Sequence, residues 1–104
     1  MARIGLDYDE TFTTDPDLWR NFIRSAQSRG HEVKFVTYRS PRHPNDDICS
    51  DAKECGIDVI FTAGRQKCNF YPADIWIDDS PVTIPSATDL GNMYDGCLIN
   101  DDMS

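Results

Sequence analysis

The sequence contains little positive charge. Its 104 residues include ten Lys and Arg against eighteen Asp and Glu, so the formal net charge is −8 at pH 7. A dedicated nucleic-acid-binding domain carries a basic patch that neutralises phosphates, and this charge balance argues against that class. It does not exclude the binding of a nucleic acid whose phosphates contact a cation held by the protein. Because carboxylate oxygens are ligands for hard divalent cations, part of the acidic charge can belong to a metal site.

Long apolar runs and paired metal-binding cysteines are also missing. No stretch approaches the roughly 18 residues of a membrane span, and the N-terminal tripeptide Met1-Ala2-Arg3 leads into a predicted strand instead of a signal peptide. We therefore expect a cytoplasmic protein without membrane association. No CxxC pair and no histidine at zinc-ligand spacing occurs, which predicts reduced thiols at Cys49, Cys55, Cys68 and Cys97.

Strand-like and helix-like segments alternate along the chain. The length predicts one domain over residues 1–104, with a frayed polar tail from about residue 100. Strands are predicted from Ile4 and over residues 33–37, 57–62, 75–78 and, as a short piece, 97–99. One amphipathic helix is predicted between the Asp15-Pro16 start signal and Gly30, and a weaker one ends at Gly56. This alternation predicts a Rossmann-like three-layer α/β sandwich, with a mainly parallel sheet and helices on both faces.

Two acidic pairs follow apolar runs that are predicted to be strands. Asp7 and Asp9 end the first run, and the pair Asp78-Asp79 ends the run Ile75-Trp76-Ile77. In an open parallel sheet, ligands bind outside the carboxyl ends of the strands. Two acidic pairs on neighbouring strands would therefore form a divalent-metal pocket.

Further polar groups are predicted at the same edge of the sheet. Thr37 ends the second strand, and Lys67 lies in the loop after the third. Arg65, two residues earlier in that loop, is an alternative cation for a phosphate contact. Each group alone has an ordinary explanation as a cap or turn residue. Their convergence on one edge predicts a functional site.

On these residues the chain resembles the haloacid dehalogenase superfamily of aspartate-nucleophile phosphohydrolases. The resemblance covers residue 4 to about residue 81. Its first and last motifs are specific in combination, whereas the middle two are weak by themselves. The motifs are a DxDxT pattern at Asp7, Asp9 and Thr11, an apolar strand ending in Thr37, the loop lysine Lys67, and an apolar strand ending in Asp78-Asp79.

The resemblance implies a phosphatase that uses Mg²⁺. Asp7 would attack phosphorus to form an aspartyl phosphate, and Asp9 would protonate the leaving group and later deprotonate water. An acidic residue at position 9 favours phosphatase over dehalogenase chemistry. Thr37 and Lys67 would bind the phosphoryl group. The implied Mg²⁺ ligands are Asp7, the backbone carbonyl of Asp9, and Asp78, with Asp79 holding a metal-bound water.

Several nearby residues have less specific interpretations. Thr11 is interpreted as a structural residue of the turn after Asp9, and Tyr8 either packs or faces the substrate. Arg39 and Arg42 follow the second strand, where they are either ordinary loop cations or contacts for a second anionic group of the substrate. Neither histidine has metal-ligand spacing, so His31 and His43 are interpreted as surface residues.

The sequence leaves no room for the cap domain that many members of this family insert near the site. An open site is expected to be covered by a second subunit or by a bulky substrate. The phosphorylated substrate, small molecule or macromolecule, is not specified. Two alternatives to an enzyme are a non-catalytic or regulatory protein on the same scaffold and a receiver-like phospho-acceptor domain. The receiver interpretation expects an acceptor aspartate after the third strand, where the chain has Phe61-Thr62.

Overall fold

The structure, a computed structural model, describes residues 1–84. Four parallel strands form one sheet in the order β3-β2-β1-β4, and two α-helices connect the first three strands in sequence. The predicted α/β fold with a parallel sheet is confirmed. The strand predicted at residues 97–99 and the polar tail lie outside the described residues. The elements are β1 (Arg3–Leu6), α1 (Pro16–Ser28), β2 (Glu32–Thr37), α2 (Asp46–Cys55), β3 (Val59–Phe61) and β4 (Ile75–Ile77).

Helix α1 begins and ends at the residues that the sequence indicates. The Asp15 side chain accepts a hydrogen bond from the Leu18 N–H at 3.3 Å, and Pro16 occupies the first helical position. At the other end Gly30 adopts a left-handed φ of 82° and donates its N–H to the Gln27 carbonyl at 3.0 Å. These local signals fix where the chain returns towards β2.

Both helices pack on the same face of the sheet. Ile23 of α1 and Ile48 of α2 are buried in one cluster with Leu6 of β1 and Phe35 of β2. The prediction of helices on both faces is therefore wrong for residues 1–84. The two helical crossovers step in the same direction, from β1 to β2 to β3, and right-handed connections then place both helices on one side.

The opposite face carries Trp76 of β4 and Tyr71 of the segment between β3 and β4. Within the described chain, the regular structure of that segment is limited to a single 3₁₀ turn at Lys67–Asn69. The Trp76 ring lies directly over Gly5, where an added Cβ would stand 2.5 Å from the ring. Tyr71 packs edge-on against Trp76 at a centroid distance of 6.4 Å. The Lys34 ammonium lies 5.5 Å from the centre of the Tyr71 ring. Aromatic side chains thus take the place of a second helical layer here.

Strand β3 is shorter than the predicted run of residues 57–62. The Ile57 N–H donates to the Ala52 carbonyl at 3.0 Å, so this residue completes the end of α2. Pairing with β2 nevertheless continues one residue beyond each end of β3. The Phe35 N–H donates to the Asp58 carbonyl at 3.0 Å, and the Thr62 N–H donates to the Thr37 carbonyl at 2.9 Å.

The order of the strands places a crevice beside β1. Chain connections run from β1 through β2 to β3 on one side, whereas β4 lies on the other side of β1. Such a reversal opens a crevice at the carboxyl ends of the two strands, which is the usual ligand position in open α/β sheets. Asp7 follows β1 and Asp78 follows β4, so both stand at this crevice.

Three cysteines, Cys49, Cys55 and Cys68, are free thiols, as predicted, and Cys97 lies outside the described residues. Within residues 1–84, neither helix has the length and apolar character needed to cross a membrane.

Candidate functional site

An open cleft of about 240 Å³ lies at the carboxyl edge of the sheet. The structure brings together in it all six side chains that the sequence predicted for the site. Four further residues also line this cleft. The predicted residues are Asp7, Asp9, Thr37, Lys67, Asp78 and Asp79, and the additional ones are Glu10, Tyr38, Ser80 and Thr83.

Lys67 occupies the centre of the charged cluster. Its ammonium donates to Asp7 Oδ1 at 2.9 Å and to Asp78 Oδ2 at 2.5 Å. The lysine is 2 % exposed, so water contributes little to its solvation. Arg65 is exposed and does not line the cleft. Of the two cations that the sequence offered, the structure places Lys67 at the carboxylates.

Asp7 is held in a buried position at the end of β1. Its N–H donates to the Ile77 carbonyl at 2.9 Å, which joins the start of its loop to β4. The pKa of Asp7 is raised from 3.8 to about 6, chiefly by burial and also by the neighbouring Asp79 carboxyl, whereas Lys67 lowers it. The ionised form of Asp7 is therefore costly in this cluster unless more positive charge is present.

Three carboxylates of the cleft are close enough to share one cation. Asp7, Asp78 and Asp79 each offer an oxygen, and these atoms lie within 4.8 Å of one another. An all-oxygen set of this kind suits Mg²⁺. The Lys67 ammonium compensates only part of the three negative charges, so the residues fit a divalent cation by both donor type and charge.

The Thr11 hydroxyl links the two acidic pairs. Its Oγ1 lies 3.1 Å from Asp7 Oδ2 and 3.3 Å from Asp79 Oδ1, and it accepts the Asp79 N–H at 3.2 Å. In the loop between Asp7 and Thr11, Glu10 adopts a left-handed φ of 64°, which is uncommon for a residue other than glycine. The structural interpretation of Thr11 agrees with these contacts, and the link to Asp79 adds a function that the sequence did not indicate.

Thr37 places a hydroxyl in the cleft from the end of β2. The side chain is 1 % exposed, and its Oγ1 accepts the Arg39 N–H at 3.2 Å. Because the hydroxyl group accepts in this contact, its own proton is left to donate to a ligand oxygen. This is the group expected for a phosphoryl contact.

Asp9 forms an ion pair with Arg39, a contact that the sequence did not predict. Arg39 Nε donates to Asp9 Oδ2 at 2.9 Å, and Nη2 donates to Asp9 Oδ1 at 2.7 Å. The same guanidinium also binds Asp47 of α2. Arg42 is exposed. No local pattern could have revealed the pair, since its two residues lie thirty positions apart in the chain.

Tyr8, between the two aspartates, packs into the core and does not line the cleft. It is 2 % exposed, its ring lies 5.5 Å from Phe12 and 5.2 Å from Phe35, and its hydroxyl donates to Asp51 at 2.5 Å. Burial and this contact raise the pKa of Tyr8. Of the two interpretations of Tyr8, packing is therefore the one observed.

The two histidines stand away from the cleft. The Nδ1 atom of His31 accepts the Ala2 N–H at 2.9 Å, and His43 is exposed beside the loop that precedes α2.

Comparisons of the chain with protein-family models, with curated proteins and with solved structures find no match. What the site can do is therefore inferred from its own residues and their geometry.

Proposed function

We propose that the chain is an Mg²⁺-dependent phosphomonoesterase of the haloacid dehalogenase type, with Asp7 as its nucleophile. The observation that carries this proposal is the buried contact of the Lys67 ammonium with Asp7 and Asp78. Asp79 and Thr37 line the same cleft. A carboxylate nucleophile, a cation beside it and a hydroxyl donor are the groups that phosphoryl transfer requires.

The reaction would proceed in two displacements. In the first, an oxygen of Asp7 attacks phosphorus, the ester P–O bond breaks, and the leaving oxygen takes a proton from Asp9. In the second, water attacks the aspartyl phosphate and gives its proton to Asp9, while the P–O bond to Asp7 breaks. The products are an alcohol and inorganic phosphate, and both aspartates return to their starting state.

Charge balance supports the requirement for a divalent cation. Among the described lining residues, five carboxylates face the cleft and Lys67 is the single cation. A phosphate dianion would be repelled by this surface. Mg²⁺ held by Asp7, Asp78 and the Asp9 backbone carbonyl, with Asp79 on a metal-bound water, would supply the positive charge that admits the substrate.

The proposed substrate is a phosphomonoester that binds at an open site. Either the bulk of this substrate or a second subunit of the protein would cover the site. In the described residues, only a short segment with one 3₁₀ turn separates β1 from α1, and another separates β3 from β4. Neither connection has room for a cap domain. Water exclusion would then come from a macromolecular substrate or from a second copy of the chain.

A second candidate is a phosphate-binding protein without turnover. The observation that favours it is the ion pair of Asp9 with Arg39, which holds both oxygens of the proposed proton carrier and leaves only one acceptor position on each. Such a protein would bind inorganic phosphate with Mg²⁺ but would not hydrolyse an ester.

Turnover of p-nitrophenyl phosphate tests the proposal. We expect hydrolysis with Mg²⁺, loss of activity in EDTA, and a fall on the order of a thousandfold or more in Asp7→Asn. Asp9→Asn should lose on the order of a hundredfold or more in kcat, because water needs Asp9 as a base to hydrolyse the aspartyl phosphate even when the leaving group needs no proton. Arg65→Ala, which removes an exposed cation from the Lys67 loop, is the matched control and should keep wild-type turnover. Equal hydrolysis by wild type and Asp7→Asn would refute the proposal, and phosphate binding without hydrolysis would establish the second candidate.

A further inference from the structure

Every N–H group of the Arg39 guanidinium has an acceptor. Beyond its two bonds to Asp9, Nη1 and Nη2 donate to the Asp47 oxygens at 2.7 and 2.9 Å, and Nη1 also lies 3.5 Å from Asn45 Oδ1. A guanidinium has five N–H donors in a planar fork. With all five used, Arg39 is already neutralised by protein groups, so it is poorly suited to bind a second anionic group of a substrate.

The rest of Arg39 is fixed as well. Its side chain is 23 % exposed, and its guanidinium carbon lies 5.2 Å from the centre of the buried Tyr8 ring. Its backbone N–H donates to Thr37 Oγ1, and its carbonyl accepts the Ala63 N–H at 3.2 Å. The arginine therefore connects the end of β2, the loop after β1 and the start of α2.

We infer that Arg39 is a positioning residue, which holds the Asp9 carboxyl at the cleft with Asp47 as its outer anchor, so that Asp9 can exchange a proton with the leaving oxygen. The inference rests on the proposed function, because it assigns Arg39 a part in that reaction. Each carboxylate oxygen offers two acceptor positions, and Arg39 occupies one on each. The remaining positions of Asp9 are available for the transferred proton.

This assignment predicts an effect that depends on the leaving group. A p-nitrophenolate departs readily without protonation, whereas an alkoxide of an alkyl phosphate needs a proton in the transition state. The quantity kcat/KM reports the first displacement, in which this proton is delivered. Misplacing Asp9 should therefore lower kcat/KM for an alkyl phosphate more than for p-nitrophenyl phosphate. The ratio of the two values does not depend on how much of a variant is folded.

The test measures kcat/KM for the alkyl phosphate divided by kcat/KM for p-nitrophenyl phosphate. This ratio is compared in wild type, Arg39→Ala, Arg39→Lys and Asp47→Asn. We expect a fall on the order of tenfold or more in Arg39→Ala. Arg39→Lys should fall nearly as far, since an ammonium keeps the charge but cannot form the bidentate fork. Asp47→Asn should show a smaller fall in the same direction. Arg42→Ala removes the same charge from an exposed position in the following loop and should leave the ratio unchanged.

Two outcomes overturn the inference while the proposed function stands. One is an equal loss on both substrates in Arg39→Ala, which indicates substrate binding or a purely structural role. The other is no loss on either substrate in Arg39→Ala, with Asp7→Asn still inactive. Absence of turnover by the wild type, or equal turnover by Asp7→Asn, instead refutes the proposed function and this inference with it.

Discussion

At the scale of single residues, Lys67 and its carboxylates depend on one another. Removing an ammonium from water costs several kcal/mol, and contacts with Asp7 and Asp78 offset that cost. Conversely, Lys67 is the single cation among the described residues lining the cleft. Without it, the three carboxylates would be compensated only by a bound metal ion.

Replacing Lys67 with Met tests this dependence. In EDTA, we expect Lys67→Met to lower the free energy of unfolding by about 3–5 kcal/mol, because a buried carboxylate cluster then lacks its partner. Mg²⁺ should recover more stability in the variant than it adds to wild type, since the ammonium no longer competes for the same oxygens. Urea unfolding with and without Mg²⁺ measures both effects.

Arg65→Met serves as the control for Lys67→Met, because it removes an exposed cation from the same loop. It should unfold like wild type. A Lys67→Met protein as stable as wild type in EDTA would show that the cluster does not rely on the lysine.

The individual site residues were predictable from the sequence to different degrees. Asp7, Thr37 and Asp78 stand at the ends of apolar runs, and strand ends are easily read from such runs. Lys67 lies in a loop beside Arg65, so the sequence left the choice between these two cations open. The ion pair of Asp9 with Arg39 could not be predicted, because side-chain partners across a loop depend on the folded positions of β1 and β2. The sequence consequently left the interpretation of Arg39 open.

At the scale of elements, local signals set the ends of the helices but not the face on which they lie. Asp15, Pro16 and Gly30 act within a few residues of one another, so α1 was predictable. The order of the strands decides the helical face, and no short pattern encodes that order. The prediction of a second helical layer is wrong for this reason. Strand β4 joins the sheet beyond β1, and no α-helix lies between β3 and β4.

The packing of β1 against β4 depends on the absence of a side chain at Gly5. The Trp76 ring lies where an added methyl group would stand, 2.5 Å from the ring atom Cζ3. We expect Gly5→Ala to cost about 1–3 kcal/mol of unfolding free energy, because the ring must move out of a packed face. Chemical denaturation measures this cost.

A double-mutant cycle identifies the cause of the Gly5→Ala cost. In a Trp76→Leu background, the smaller side chain should accept the methyl group and remove most of the penalty. Additive costs in the double variant would show that the ring is not responsible.

At the scale of the whole molecule, the chain combines an acidic surface with an open acidic cleft. The net charge of −8 argued against a basic binding patch, and the cleft concentrates carboxylates where a phosphate is proposed to bind. The sequence predicted that these residues meet in one cleft, because parallel strands share one carboxyl edge. It could not identify the substrate, since an open cleft of about 240 Å³ surrounds little more than the reacting group.

The most direct test of the central claim is a search for a phosphoryl group on Asp7. Wild type would be mixed with p-nitrophenyl phosphate and Mg²⁺, quenched in acid within the first turnover, digested and examined by mass spectrometry. The account predicts an acid-stable, base-labile phosphoryl group on the peptide that contains Asp7, and none in Asp7→Asn. Rapid turnover by the wild type without that adduct, or an adduct on a different residue, would contradict it.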